Sequence, residues 1–300
     1  MTRIIGYCDF QGKEIDDQIL VANELGIENL IIRQIGVKKI YDINDQDCKE
    51  ILRSVKSSKK SIYALDPEIM TYDLYKVKDY EKALSQYEKT FIIASKLKVD
   101  YVLYRLPKII DILNEFVTVE KQLNKFIELA KKSGRKILIY HNQEKTNVLA
   151  YIMKKFQNKD LGLIYNPKQA TLNGDSPTTG YRLLRDFFDC FVAADVDKNN
   201  NPELLGYGRV KIIDLFKRMG RDNYRGNVII DNSFSDFIDN NQIKKVPWYK
   251  KLLKKSDTFD DYLKGYSARI FPDEEDRIAD IFDIYQSQIK ALKIMFNLRD

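Results

Sequence analysis

Residues 135–144 read RKILIYHNQE, and this stretch carries the pattern from which the fold is deduced. A basic pair leads into four apolar or aromatic residues, and the run ends on His141, the only histidine among 300 residues, followed by Asn142 and Gln143. A short run rich in β-branched and aromatic residues indicates a buried strand. The stretch is therefore predicted to deliver polar side chains at the carboxyl end of that strand.

The same pattern, a short apolar run that ends on polar residues, occurs eight times along the chain. The predicted strands are residues 3–8, 29–33, 61–65, 100–105, 136–141, 162–166, 190–195 and 227–231. Segments with helical periodicity fill the gaps, at residues 14–25, 45–55, 80–97, 117–132, 146–156, 178–188, 210–219 and 278–298. Strict alternation of strand and helix requires parallel strands with right-handed crossovers. Eight such units, without a glycine-rich phosphate loop after the first strand, favour a closed (β/α)8 TIM barrel over an open doubly wound sheet. We therefore expect an α/β fold with one domain spanning residues 1–300.

Residues 240–271 interrupt this rhythm between strand eight and the C-terminal helix. They contain a second short helical pattern and Trp248, the only tryptophan. A long loop plus short helix after the last strand is predicted to lie over or beside the barrel mouth, as a lid or a subunit contact. The alternative is a packed excursion in which Trp248 and Tyr249 fill a groove.

Composition narrows the class of protein. The chain has 50 basic and 44 acidic residues, a net charge of +6, and only short basic runs, so a solvated lysine-rich surface is favoured over a nucleic-acid footprint. Cys8, Cys48 and Cys190 have no paired spacing, which indicates reduced structural thiols. No run approaches the roughly 20 apolar residues of a membrane span. These features predict a soluble cytoplasmic protein without nucleic-acid or membrane partners, either monomeric or a homo-oligomer.

The ends of the predicted strands carry the candidate site residues, because the active sites of (β/α)8 proteins lie at the carboxyl ends of the strands. The polar residues there are Asp9, Arg33, Gln34, Asp66, Glu68, Arg105, His141, Asn142, Glu144, Asn166, Asp195, Asp197, Asp231 and Asn232. Arg33 and Arg105 aim into one mouth, where guanidinium groups either bind an anionic ligand or pair with the converging aspartates. His141 is predicted to line the pocket, the alternative being a satisfied core imidazole.

Two motifs resemble a known family. Residues 140–142 (Tyr-His-Asn) end strand five, and residues 205–210 (LGYGRV) follow strand seven. Both are similar to motifs of the xylose isomerase-like TIM-barrel family of sugar and sugar-phosphate isomerases and epimerases, which is related to endonuclease IV. The resemblance runs to about Asp231 and implies proton transfer next to a sugar carbonyl. It also implies a divalent-metal site (Mn, Mg or Zn) built from a glutamate, an aspartate, a histidine and a glutamate after strands five to eight.

The sequence departs from that metal site. The residues at the four places are His141 or Glu144, Tyr165 with Asn166, Val192 with Ala193, and Asp231. An amide and apolar groups at the second and third places remove the charge and the donor strength that hold a divalent cation. A degenerate site without metal is therefore expected, and a rearranged site of His141, Asp195 and Asp231 is the alternative.

Two functions follow. The first is an enzyme, an isomerase or epimerase of a small sugar or sugar phosphate, with His141 and Asp231 transferring protons. Its predicted substrate-binding residues are Arg33, Arg105, Asn142, Glu144, Asn166 and Asp195. The second is a non-catalytic relative that binds a sugar, a phosphorylated ligand or a protein partner after loss of the metal ligands. A phosphodiesterase like endonuclease IV is disfavoured, because one histidine cannot supply a multi-zinc cluster.

Overall fold

Eight parallel strands close into a barrel, as the alternating pattern predicts. The computed structural model describes residues 2–242 and 259–297. The barrel strands are β1 (Ile4–Gly6), β2 (Asn29–Ile32), β3 (Ser61–Leu65), β4 (Tyr101–Tyr104), β5 (Lys136–Tyr140), β6 (Leu161–Tyr165), β7 (Phe188–Ala193) and β8 (Asn227–Ile230). Each strand pairs in parallel with the next one along the chain, and β1 pairs with both β2 and β8. The predicted (β/α)8 fold is confirmed.

Helices surround the barrel. They are α1 (Ile15–Glu24), α2 (Asp45–Ser57), α3 (Val77–Leu97), α4 (Ile112–Lys132), α5 (Thr146–Phe156), α6 (Pro167–Leu172), α7 (Pro177–Leu184), α8 (Ile212–Arg221), α9 (Ser233–Gln242), α10 (Phe259–Ile270) and α11 (Ile281–Met295). α4 begins before the predicted residue 117, because the Asp111 side chain caps its N-terminus. Two helices, α6 and α7, stand where one was predicted, since Asn166 and Ser176 each cap a separate helix that starts with proline.

The end of β7 differs from the prediction. The predicted strand 190–195 is shifted, because β7 starts at Phe188 and leaves the barrel after Ala193. Asp195 and Val196 instead pair antiparallel with Glu203 and Pro202 in a two-stranded ribbon. The loop after β7 therefore begins earlier than the apolar run indicates.

The strands separate two hydrophobic cores. Successive residues of a strand point to opposite faces. Small and branched side chains such as Ile5, Ile31 and Leu138 fill the barrel interior. The alternate residues, such as Leu30, Ile137 and Ile139, pack outward against the helices. This alternation decides which strand-end residues can face the mouth.

Helix α10 packs on the loop after β7. The Tyr262 hydroxyl donates to Asp197 Oδ2 (3.0 Å), the Tyr266 hydroxyl donates to the Pro202 carbonyl, and Arg269 pairs with Glu203. α10 belongs to the predicted insertion 240–271, but Trp248 and Tyr249 lie outside the described residues, so the lid and subunit-contact hypotheses stay predictions. None of the helices within 2–242 and 259–297 has the length and hydropathy that a membrane crossing requires.

Candidate functional site

A cavity of about 250 Å³ opens at the carboxyl ends of the barrel strands. Its lining is almost wholly polar or aromatic: Tyr7, Arg33, Asp66, Glu68, Arg105, Tyr140, Asn142, Asn166, Lys168, Gln169, Asp231, Asn232, Ser233 and Asp236. Strand alternation explains why these side chains meet. On seven strands a lining residue stands two positions after an inward core residue: Tyr7 after Ile5, Arg33 after Ile31, Asp66 after Ala64, Arg105 after Leu103, Tyr140 after Leu138, Asn166 after Ile164 and Asp231 after Ile229. β7 contributes the apolar Ala194 at this level.

Arg105 and Asp66 form a bidentate pair in this cavity. Arg105 Nη1 and Nη2 donate to Asp66 Oδ1 (2.6 Å) and Oδ2 (2.9 Å), and the Tyr7 hydroxyl donates to Oδ2 (2.8 Å). Burial alone would raise the pKa of Asp66, but the guanidinium and these hydrogen bonds lower it below its ordinary value. Burial, together with the charge of Asp66, raises the pKa of Tyr7 well above its ordinary value, so the phenol keeps its proton.

Arg33 is likewise neutralised by carboxylates. Its Nε donates to Asp9 Oδ2 (2.6 Å) and its Nη1 to Glu68 Oε1 (3.1 Å), while Lys39 pairs with Glu68 Oε2 (2.6 Å). Arg33 and Arg105 were expected either to bind an anionic ligand or to pair with the converging acids. In the structure both are paired with acids. Both guanidinium groups also lie over aromatic rings, with Arg33 Cζ 5.5 Å from the centroid of Tyr7 and Arg105 Cζ 5.5 Å from that of Tyr140.

Asp231 is held by a lysine. Lys168 Nζ lies 2.5 Å from Asp231 Oδ2, and the Ser233 hydroxyl donates to the same oxygen. Lys168 comes from the first turn of α6, and Asp231 follows the last residue of β8. Both side chains are buried at the cavity wall, so a close acid–base pair faces any ligand bound there.

The structure places His141 away from the cavity. Alternation along β5 directs Leu138 and Tyr140 into the barrel, so the following imidazole points outward, where it stacks on Tyr165 with 5.7 Å between centroids. Its Nε2 donates to the Glu144 carbonyl (3.0 Å). Burial lowers the pKa of His141 to about 4, so the ring is neutral. A pocket and catalytic role was expected for His141, and the geometry instead gives it the core role named as the alternative.

Asp195 also faces away from the cavity. Its Oδ1 accepts the backbone N–H groups of Val196 and Val210 (3.0 Å each), and its Oδ2 accepts those of Gly206 and Gly208 (3.1 Å each). A Cβ at Gly208 would stand 2.1 Å from Asp195 Oδ1, and Gly206 has a φ of +92°. The two glycines thus let the loop wrap around the chain's own carboxylate. The expected substrate contact by Asp195 is replaced by this loop-stabilising role.

Of the remaining predicted binding residues, Asn142 and Asn166 border the cavity and Glu144 does not. Asn166 Oδ1 also accepts the Lys168 N–H (3.1 Å) at the start of α6. Glu144 is buried outside the lining and accepts the Asn142 N–H (3.0 Å). Burial raises the pKa of Glu144. Glu144 therefore shapes the loop that carries Asn142 and does not itself border the cavity.

The donor set does not fit a divalent metal. Within the described parts of the chain, no three His, Cys, Asp or Glu side chains converge as a metal site would require. The rearranged set of His141, Asp195 and Asp231 is not assembled, because only Asp231 faces the mouth. No chemical step is therefore assigned to a metal ion.

Sequence reasoning missed Tyr7, Tyr140 and Lys168 as cavity residues. The two tyrosines could have been found by counting two positions on from each inward apolar residue instead of taking the last residue of each run. Lys168 was harder to find from the sequence. It lies in the first turn of α6, a helix that the pattern did not predict, and its side chain borders the cavity from there.

Comparison with known proteins supports the architecture. No protein-family model and no curated protein sequence matches the chain. Among solved structures, it is similar to an L-ribulose 3-epimerase (TM-score 0.70, 9% identity, covering 99% of this chain and 95% of that one). It is also similar to a D-psicose 3-epimerase with D-tagatose from Clostridium cellulolyticum (0.65, 12%, 99% and 99%). A third is a xylose isomerase-like TIM barrel protein from Mycobacterium smegmatis in complex with magnesium (0.58, 13%, 81% and 94%). At these identities the likeness establishes the fold alone, which is the TIM barrel.

Proposed function

We propose that this protein binds a small sugar in the barrel mouth and isomerises or epimerises it by proton transfer. The lining of the mouth cavity carries this proposal. It joins four acidic side chains and two tyrosine rings with three cationic side chains, each of which is hydrogen-bonded to one of the acids. A sugar hydroxyl both donates and accepts, so it can bind either partner of such a pair. The 250 Å³ cavity lies just below the range of about 300–1,000 Å³ usual for ligand pockets, which suits a single sugar unit.

The charge balance favours a neutral sugar over a sugar phosphate. Arg33 and Arg105 are the groups best suited to a phosphate. Both are already bonded to carboxylates at 2.6 Å. A phosphate would have to displace Asp9 or Asp66 from its guanidinium and leave that carboxylate buried without its partner.

Asp231 is the proposed proton-transfer group. It takes the proton from the carbon next to the sugar carbonyl, the electron pair of the C–H bond moves into a C=C bond, and the carbonyl oxygen gains negative charge. Return of a proton to the opposite face of the same carbon completes epimerisation. Delivery of the proton to the former carbonyl carbon, while the proton of the neighbouring hydroxyl passes to the former carbonyl oxygen, completes isomerisation. Asp231 suits this role because it stands at the cavity wall and because Lys168 and Ser233 both bond to its Oδ2, which leaves Oδ1 to accept the proton.

Hydrogen exchange in D₂O tests this function. Purified protein is incubated with a panel of ketoses, aldoses and their phosphates, and NMR follows deuterium entering the carbon next to the carbonyl. We expect exchange for at least one free sugar and a loss of at least about 100-fold in Asp231→Asn. Asp239→Asn, on the exposed side of α9, is the matched control and should exchange like wild type. Absence of exchange for the whole panel contradicts the catalytic proposal.

The second candidate is a non-catalytic sugar-binding protein. It is favoured by the tight hold of Lys168 and Ser233 on Asp231 and by the outward position of His141, which leaves few free bases in the mouth. Its signature is a sugar that raises the thermal unfolding temperature without exchanging hydrogen. Buried free thiols at Cys8, Cys48 and Cys190 support a reducing, cytoplasmic location for either function.

A further inference from the structure

Lys168 places an ammonium group inside the barrel mouth. Its Nζ is 2.5 Å from Asp231 Oδ2, and the two side chains are only 9% and 7% exposed. Removing a lysine charge from water is costly unless an opposite charge compensates it, so the pair is interdependent. The position of Lys168 is further determined by Asn166, whose Oδ1 accepts the Lys168 backbone N–H at the cap of α6.

The ammonium has bonding capacity left for a ligand. A lysine Nζ carries three N–H donors. Among the described residues, Asp231 is its single hydrogen-bond partner. Lys168 and Asp231 both border the cavity, so the other donors can reach an oxygen of a molecule bound there.

The described residues around this lysine do not offer a set of metal ligands. A neighbour in fold carries magnesium. Here the inward positions near the end of β7 are Val192 and Ala194, the amide of Asn166 caps a helix, and the described residues form no cluster of three metal-binding side chains. The carboxylate of Asp231 already has a cation, which is Lys168.

We propose that the Lys168 ammonium takes the role that a divalent cation would have in this cavity. It binds the carbonyl oxygen of the sugar and stabilises the negative charge that develops there while Asp231 removes the proton from the adjacent carbon. The C–H bond breaks, its proton passes to Asp231, its electron pair forms the C=C bond, and the enediolate oxygen rests beside Lys168. Return of the proton reverses these changes. This role rests on the proposed function and makes the reaction independent of metal.

The test compares metal removal with lysine removal. Deuterium exchange into D-fructose and D-tagatose is measured by NMR for wild-type protein with EDTA, without EDTA and with added Mn²⁺, and for four variants. Lys168→Met removes the charge and Lys168→Arg keeps it. The double variant Lys168→Met/Asp231→Asn leaves no buried charge unpaired, and Lys154→Met, on the exposed face of α5, is the control. Thermal unfolding of each variant establishes that it is folded.

We expect EDTA to leave the exchange rate unchanged, Lys168→Met to lower it at least about 100-fold, and Lys168→Arg to restore part of it. The double variant should be folded and inactive, and Lys154→Met should match wild type. Exchange that EDTA abolishes and Mn²⁺ restores overturns the role of Lys168 while the proposed function stands. A wild-type rate in folded Lys168→Met has the same consequence. If wild type exchanges neither sugar under any of the three conditions, the role of Lys168 is overturned as well, and failure across the wider sugar panel separately removes the proposed function.

Discussion

His141 is a fully buried imidazole bonded through Nε2 to the Glu144 carbonyl. Its Nδ1 has no hydrogen-bond partner among the described residues. A carbonyl oxygen only accepts, so Nε2 carries the proton and Nδ1 is bare. Protonation of Nδ1 would place an uncompensated charge in the outer core, which is why burial lowers the pKa to about 4.

This residue predicts a pH dependence of stability. The pKa of His141 is about 4 in the folded protein and 6.5 as an ordinary value, so the unfolded chain binds the proton first as the pH falls. The stabilisation is complete above about pH 6.5 and is lost between there and about pH 4, for a total of about 3 kcal/mol. Urea unfolding at several pH values measures it. Between pH 6.5 and pH 4, the free energy of unfolding of His141→Gln should fall by about 3 kcal/mol less than that of the wild type. If the free energy of unfolding depends on pH in the same way in both proteins, His141 is not the source of the loss.

The Arg105–Asp66 pair predicts a contrast between buried and exposed ion pairs. Arg105→Met leaves Asp66, only 2% exposed, without its guanidinium, and should lower the free energy of unfolding by about 3–5 kcal/mol. Lys125→Met breaks an exposed pair with Glu128 and should cost less than about 1 kcal/mol. Denaturant titration compares the two. If the two variants lose the same free energy of unfolding, Asp66 has another partner in Arg105→Met.

At the scale of elements, the loop after β7 is organised by one carboxylate. Asp195 gathers four backbone N–H groups from residues 196–210, and the glycines at 206 and 208 permit that approach. A glycine-rich loop around an anion commonly indicates a phosphate site. In this chain the anion is an aspartate of the same loop, so the motif stabilises structure.

Asp195→Asn should therefore destabilise the protein without acting on the cavity. An amide replaces one accepting oxygen with a donor that opposes two backbone N–H groups, and the expected loss is about 2–3 kcal/mol in the free energy of unfolding. Gly208→Ala should have a similar effect, because its Cβ would meet Asp195 Oδ1 and the Val196 carbonyl. Chemical denaturation measures both, with Asp239→Asn as the surface control. An unchanged midpoint in Asp195→Asn would contradict the role of this carboxylate.

At the scale of the whole molecule, the three cysteines report on global opening. Cys8 and Cys190 are fully buried and Cys48 is 3% exposed. Burial raises the pKa of Cys8 and of Cys190 to about 12, and it raises that of Cys48 as well. Thiolate is the reactive form. A thiol reagent near pH 8 should thus modify almost none of the native protein and three thiols per chain in denaturant, at a rate set by unfolding. Rapid modification of one native thiol would place a local opening at that residue.

The sequence by itself determined the barrel, because eight apolar runs alternating with helical periods leave few other ways to bury both faces of a parallel sheet. It also located the mouth and several of its polar residues, including Arg33, Arg105 and Asp231. Only the tertiary structure decided which strand-end residues meet. A shift of one position along a strand reverses the direction of a side chain, and this single step separates Tyr140 in the cavity from His141 in the outer core. The pairing of Lys168 with Asp231 joins residues 63 positions apart, and no local pattern specifies a contact of that kind.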